Sequence, residues 1–271
     1  MRRYEIRLPV SEGPLSQDRE YCEVHLDGGW RRIRFHEYAE IYAIPGLYEQ
    51  IFYDVLACAS HRRISWTLGD ALSESGDSPS SLRVLELGAG NGVVGEELRG
   101  LGIKKVVGVD ILPEADMAAR RDRSGIYDDY VVADLTALRD EERTRIARHE
   151  LNCLVTVAAL GFGDIPPEAF ATAFNLVAPS GWVAFNAKVD FLRDSDSTGF
   201  ARLVRYMIQT GTIEIDAYRR YCHRRSTSGS RLYYLAIIAR KRNHLDIDRL
   251  PEARPGDAGV SPLLPVSATG G

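Results

Sequence analysis

The stretch Val84-Leu85-Glu86-Leu87-Gly88-Ala89-Gly90-Asn91-Gly92 decides the fold. A short apolar strand runs into glycines at every second position. Val94, Leu98 and Leu101 then repeat along one face of a helix that stops at Gly102. Glycines at such a crossing let the backbone approach a ligand, and the start of the helix offers free N–H donors. Open α/β sheets bind ligands beyond the carboxyl ends of their strands, which is where this bend lies. The spacing departs from a dinucleotide fingerprint. Counted from Gly88, the third glycine should stand where the chain has Val93, and Gly90-x-Gly92-x-x-Gly95 begins too late after the strand. A carboxylate at Glu86 would repel a pyrophosphate and suits a cationic ligand.

Outward from this bend, strands and helices alternate. Downstream come a strand over residues 105–109, a helix over 113–121, a strand over 130–133 and a charged helix over 140–148. The unbroken apolar run 153–160 reads as a central strand covered on both faces. A helix over 167–178, a strand over 182–189 and a helix carrying Phe200, Leu203, Val204, Met207 and Ile208 follow. Two long strand-like segments, 213–223 and 232–240, close the series around a Ser-rich turn. The pattern predicts an α/β, doubly wound parallel sheet ending in an antiparallel hairpin. Upstream, residues 21–26 and 30–35 flank Asp27-Gly28-Gly29 as a hairpin. Ile44, Leu47, Tyr48, Ile51, Phe52, Val55, Leu56 and Ala59 predict one long amphipathic helix beginning beside Pro45, and a second helix spans 61–72. Residues 243–271 carry Pro251, Pro255, Pro262 and Pro265 and no aromatic residue, which predicts a flexible tail.

Val-Leu-Glu-Leu-Gly-Ala-Gly-Asn-Gly resembles motif I of the class I S-adenosylmethionine-dependent methyltransferases, and the resemblance runs over residues 83–240. It implies a Rossmann-like seven-stranded sheet with S-adenosylmethionine as cofactor and S-adenosylhomocysteine as product. It also implies roles for residues that match the family's pattern. Glu86, Gly88, Ala89, Gly90, Asn91 and Gly92 form the cofactor turn. Asp110, ending Val106-Val107-Gly108-Val109-Asp110, binds both ribose hydroxyls. Asp134, in Val132-Ala133-Asp134-Leu135, contacts the adenine amino group, with Ile111 and Leu135 framing the ring and Ala158 at the exit of the fourth strand. The segment 41–50 resembles the entry to a helical lid, where Tyr42 and Tyr48 meet the methionine carboxylate or the sulfonium. As helix caps and core aromatics, Asp110, Asp134 and the two tyrosines also have purely structural readings. The division expected is an N-terminal hairpin and helical lid over 1–80, a methyltransferase core over 81–242 and the tail over 243–271.

Composition narrows the class. The 271 residues are 45% hydrophobic and 27% charged, with 34 Lys and Arg against 38 Asp and Glu for a net charge of −4. That excludes a disordered chain or a fibre and disfavours nucleic acid as a partner. No apolar run is long enough to span a membrane, and the start of the chain lacks the apolar segment of a signal peptide. Cys22, Cys58, Cys153 and Cys222 have no metal-ligand spacing and read as reduced structural thiols, so a cytoplasmic location and no metal are expected.

The acceptor side carries weaker signals. The fourth strand exits through Val157-Ala158-Ala159-Leu160-Gly161-Phe162-Gly163-Asp164, without the Asn/Asp-Pro-Pro-aromatic clamp of base-amino methyltransferases. Phe162 and Asn186 stand past central strand ends and are the expected substrate contacts. Among the candidate bases His36, His61, His149, His223, Asp164 and Asp190, His223 is preferred because it lies among aromatics in the terminal hairpin. His61 beside Arg62 and Arg63 reads as solvent-facing, and Asp164 as a helix cap. Arg219, Arg220, Arg224, Arg225 and Arg231 form a basic cluster that reads first as a solvated sheet edge. The expected function is methyl transfer to N or O of a small molecule or short peptide by a monomer or homodimer. An RNA or protein methyltransferase, a non-catalytic cofactor-binding relative and a nicotinamide oxidoreductase are the alternatives.

Overall fold

The computed structural model describes residues 3–9, 15–160, 164–189, 199–247 and 250. It opens with an antiparallel sheet of β1 (Ile6–Arg7), β2 (Tyr21–Leu26) and β3 (Gly29–Arg34). Leu26 pairs with Gly29 across a two-residue loop in which both Asp27 (φ 49°) and Gly28 (φ 85°) are left-handed. This is the twist-matched hairpin turn that Asp-Gly favours.

The single long helix expected next is instead three pieces. α1 (Tyr38–Ala43) ends before Ile44-Pro45-Gly46, α2 (Leu47–Glu49) starts from Gly46 at φ 78°, and the chain widens into a π-helical turn over Gln50–Val55. Pro45 has no N–H to continue α1, and the left-handed Gly46 redirects the chain. The apolar face itself is as read. Leu47, Ile51, Phe52 and Leu56 are buried with Cys22, Val24, Ile33 and Phe35 of the small sheet.

α3 (Ser60–Ser75), capped by left-handed Gly76, leads into the main repeat. In order follow β4 (Arg83–Leu87), α4 (Val93–Gly100), β5 (Lys105–Asp110), α5 (Pro113–Asp122), β6 (Asp129–Val132), α6 (Asp140–Ala147), β7 (Cys153–Thr156), α7 (Pro167–Asn175), β8 (Trp182–Lys188), α8 (Phe200–Gln209), β9 (Ile213–Arg225) and β10 (Arg231–Lys241). The strands form one seven-stranded sheet, β6-β5-β4-β7-β8-β10-β9. β4 to β8 are parallel, and β10 runs antiparallel between β8 and β9. Strand residues alternate between two layers. Leu85, Leu154 and Phe185 pack with Phe170 and Phe174 of α7, whereas Val84, Val155 and Ala184 pack with Ile64 and Leu68 of α3.

Two features position a site. The order of connections reverses between β4 and β7, which opens a crevice beyond their carboxyl ends. The apolar run expected to be one strand to Leu160 leaves the ladder after Thr156. Ala158 sits at φ 57°, and its N–H donates to Asn186 Oδ1 at 2.7 Å rather than to a strand. The N-terminal unit is fixed beside this crevice. Ala59 N–H donates to His223 O and Arg225 N–H to Leu56 O, while buried Glu20 accepts from Arg224 Nη2 and from Thr227 N–H, each at 2.6 Å. No helix among the described residues is long and apolar enough to cross a membrane.

Candidate active site

The carboxyl ends of β4, β5 and β6 and the roof formed by α1 and α2 enclose a cavity of about 350 Å³. Of the residues expected to hold a cofactor, Tyr42, Tyr48, Gly88, Asp110, Ile111, Asp134, Leu135 and Ala158 line it. Gly88 N–H and Ala89 N–H both donate to Val109 O, which pins the bend to β5. Glycine is required at two positions. Gly90 is at φ 53° and a Cβ there would lie 2.5 Å from the Tyr42 hydroxyl. Gly88 is at φ 70° and a Cβ there would meet Ala159 and Ile165 at 3.0 Å.

Asp110 ends β5 with its carboxylate aimed back at the bend. Oδ2 accepts the Gly90 N–H at 2.9 Å and Oδ1 the Leu112 N–H at 3.0 Å. Burial raises its pKa, and the backbone N–H donors of Leu112, Gly90 and Ile111 pull the other way. A carboxylate has about four lone-pair sites, so capacity remains beyond these backbone donors. Asp134 is exposed at the tip beyond β6. Its Oδ1 accepts from both the hydroxyl and the N–H of Thr136, and these bonds hold its pKa below the usual carboxylate range. Next to them Ile111 is 56% exposed, an apolar side chain left open at the cavity edge.

Glu86, Ala89, Gly90, Asn91 and Gly92 are not among the residues that line the cavity. Glu86 is buried and its Oε2 accepts from the Tyr127 hydroxyl at 3.0 Å, a donor shared with Ala89 O. Burial, with a contribution from Asp110, pushes its pKa up to about 8. It therefore sits under the turn as a neutral acid at pH 7, where the sequence suggested an anion facing a cation. Asn91 is buried and donates to Glu49 Oε1 at 2.7 Å. The same oxygen accepts from Arg123 Nη1 at 2.7 Å, and Arg123 also reaches Asn91 O and Glu96. This latch ties α2 of the roof to the bend, and Arg121 donating to Tyr42 O at 3.0 Å ties α1 to α5. Neither arginine was legible as part of the site, because Arg121 in the last turn of α5 and Arg123 just after it stand in a segment with no motif of its own.

On the acceptor side, Phe162 and Asp190 lie outside the described residues. Asn186 is buried and fully engaged. Beyond its bond to Ala158, its Nδ2 donates to Tyr221 OH at 2.6 Å and to Ser60 Oγ at 3.2 Å. It shapes the exit of β7 from behind and is absent from the cavity lining. His223 Nδ1 shares a 2.6 Å hydrogen bond with Ser60 Oγ, and its ring lies 4.1 Å from that of Tyr234. Burial, reinforced by Arg224, lowers its pKa well below the usual imidazole value. It lines a smaller adjoining cavity of about 40 Å³, with Phe35, Phe52, Cys58, Leu160 and Tyr234. His61 is buried, not solvent-facing as expected, and its pKa falls to about 4 through burial and neighbouring arginines. His149 meets Asp129 at 3.1 Å, away from both cavities. Two of the candidate bases do come together: His36, just after β3, and Asp164, before α7.

Residues 60–244 match the family model described as a methyltransferase domain. The chain belongs to this family.

Comparison of the methyltransferase with curated proteins gives no match. Several solved structures resemble it. N-methyltransferase NodS from Bradyrhizobium japonicum WM9, in complex with S-adenosyl-L-homocysteine, is 17% identical over 77% of this chain and 98% of that one, with a TM-score of 0.49. Magnesium protoporphyrin IX methyltransferase from Synechocystis PCC 6803, with bound SAM, is 15% identical over 67% of this chain and 79% of that one, at a TM-score of 0.45. A ribosomal-protein methylase from Lactobacillus delbrueckii subsp. bulgaricus is 17% identical over 67% and 78%, at 0.44. At these identities the likeness concerns the fold only.

Proposed function

We propose that this methyltransferase moves a methyl group from S-adenosylmethionine to a nitrogen or oxygen of a small molecule and releases S-adenosylhomocysteine. The observation that carries the reading is the cavity at the tips of β4, β5 and β6, with Asp110 on its wall and a roof of tyrosines over the glycine bend. The residues fit such a ligand. Asp110 can accept ribose hydroxyls on a carboxylate whose other partners are backbone N–H donors. Exposed Ile111, with Leu112 and Leu135, offers an apolar face for the adenine ring, and Asp134 stands where the ring's amino group would reach it. The methionine portion would lie along the cavity wall at Gly88, and Tyr42 and Tyr48, ring centroids 5.2 Å apart, close over it. Burial raises the pKa of both phenols, so their hydroxyls act as donors.

Bound there, the cofactor supplies an activated methyl group on a sulfonium, so transfer asks mainly for in-line approach and exclusion of water. The roof provides that exclusion. The smaller cavity beside it takes the acceptor's reacting end, and its aromatic walls suit a small molecule. The arginine cluster lends no support to a nucleic-acid acceptor. Arg219 pairs with Asp70, Arg220 lies over Tyr233, and Arg224 is buried against Glu20. The test is incubation with a labelled methyl donor and a fractionated cell extract, followed by mass spectrometry of the labelled product. Label in a low-mass fraction supports the proposal. Label in RNA or protein, with binding that falls steeply with salt in the RNA case, overturns the acceptor assignment.

A further inference from the structure

The two cavities share five lining residues, His36, Tyr38, Tyr48, Ala158 and Asp164. On the reading above, a methyl group leaving the larger cavity for an acceptor in the smaller one crosses there. A group that removes the acceptor's proton must stand at that junction. Ala158 has no titratable side chain. Burial holds the pKa of Tyr38 and Tyr48 above its usual value, so neither takes a proton near neutrality. That leaves the pair His36 and Asp164, each about one-fifth to one-quarter exposed. His36 Nδ1 meets Asp164 Oδ2 at 2.9 Å and Oδ1 at 3.1 Å. A carboxylate can only accept, so Nδ1–H is the donor and Nε2 is the ring's basic nitrogen.

The pair is built by distant parts of the chain. Phe35, buried in the small N-terminal cluster, anchors the end of β3 that carries His36. Asp164 is carried in by the connection after β7, where Leu160 and Ile165 form an isolated bridge. The dyad therefore forms only when the N-terminal unit is docked on the core. His223, the other histidine nearby, lines only the smaller cavity and has Nδ1 bonded to Ser60.

We propose that His36, oriented by Asp164, is the general base of this methyltransferase, and that its acceptor is a small molecule bearing a phenolic hydroxyl. This rests on the function proposed above. The smaller cavity, about 40 Å³ and walled by Phe35, Tyr38, Tyr48, Phe52 and Tyr234, has room for the hydroxyl end of a flat ring whose remainder lies at the junction with the larger cavity. A fixed imidazole–carboxylate pair matches a hydroxyl, a weak nucleophile until its proton leaves, better than a neutral amine, which attacks without prior deprotonation. In the step, the hydroxyl proton passes to His36 Nε2 while an oxygen lone pair forms the new O–C bond. The C–S bond of the methyl donor breaks with its electron pair left on sulfur. The Asp164 carboxylate stabilises the imidazolium, which then returns its proton to solvent. His36 is the catalytic residue and Asp164 a positioning residue.

The experiment uses the full chain, S-adenosylhomocysteine and 4-nitrophenol, whose absorbance reports its ionisation. Buffered below its free ionisation midpoint, 4-nitrophenol is expected to appear as phenolate when bound to the wild-type S-adenosylhomocysteine complex. His36→Gln, which can keep a hydrogen bond to Asp164 and cannot take the proton, should bind S-adenosylhomocysteine normally and leave the phenol neutral. Labelled methyl transfer to 4-nitrophenol should fall roughly 10²- to 10⁴-fold in His36→Gln. In His36→Ala added imidazole should restore part of it, which a merely structural role would not allow. Asp164→Asn should lower kcat, with the S-adenosylhomocysteine Kd unchanged. The proposal is overturned if the phenol fails to bind, stays neutral in the wild type, or ionises equally in His36→Gln. Preferential methylation of benzylamine overturns it as well. Failure of wild-type protein to bind S-adenosylhomocysteine at all would instead sink the underlying methyltransferase reading.

Discussion

Glu86→Gln separates a support beneath the turn from an anion that binds ligand. Burial moves this carboxyl from an ordinary 4.5 to about 8, with Asp110 contributing. Because the folded-state value is the higher one, the favourable contribution is full below 4.5 and is lost as pH rises through 8. The 3.5 pH units between those values, at about 1.4 kcal/mol each, give an upper limit of about 5 kcal/mol. Relaxation and water entry around a buried charge reduce this, so about 2–4 kcal/mol is expected. Glutamine keeps an acceptor for the Tyr127 hydroxyl and never ionises. Urea unfolding of both proteins in matched buffers should give near-equal stabilities at pH 5. The variant should be the more stable one by a margin that grows up to about pH 8.5. Since wild-type Glu86 is already neutral at pH 7, the variant should bind S-adenosylhomocysteine within a few-fold of wild type. Parallel stability curves, or a large loss of affinity at pH 7, would mean that Glu86 is ionised in the folded protein or contacts the ligand.

Other substitutions probe the roof and the exit of β7. Gly90→Ala places a methyl group 2.5 Å from the Tyr42 hydroxyl at a left-handed φ. It should cost at least about 1–2 kcal/mol by thermal unfolding and displace the roof, weakening S-adenosylhomocysteine binding more than the change in Tm alone implies. Asn186→Ala removes the acceptor for Ala158 N–H and the donors to Tyr221 and Ser60. A loss of about 2–4 kcal/mol in denaturant unfolding is expected, since these groups are buried. Arg123→Met breaks the contacts to Glu49, Glu96 and Asn91 O at an ion pair whose partners are 12% and 14% exposed. It should cost about 2 kcal/mol and, by freeing α2, raise the cofactor Kd roughly tenfold by calorimetry.

The core was legible because its signals are local. Val84 to Leu87, Val106 to Asp110 and the apolar faces of α7 and α8 carry strand and helix periods in uninterrupted runs, and the glycine bend marks the switch point. Asp110, Asp134 and Ile111 follow from being the residues at or just past strand ends. What escaped depends on contacts between distant segments. Asn186 looked like a substrate contact because it lies near the end of β8, yet partners from Ser60 to Tyr221 turn it inward. The apolar run through Leu160 gives no hint that Asn186 draws Ala158 off the ladder. His36 and Asp164 were each visible as candidates but are 128 residues apart, and no spacing rule joins them. The break at Pro45-Gly46 was obscured because the residues on both sides keep a helical apolar face.

On the proposed function, Asp110 holds a ribose diol in the cavity beneath the tyrosine roof. Calorimetric titration of S-adenosylhomocysteine into wild type and Asp110→Asn tests it most directly, with thermal unfolding showing that both are folded. One stoichiometric site in wild type, and a Kd weakened roughly 10- to 100-fold in the variant, is the predicted result, as expected for hydrogen bonds to a charged acceptor. Equal affinity in the two proteins, or binding of NAD in preference to S-adenosylhomocysteine, would contradict it.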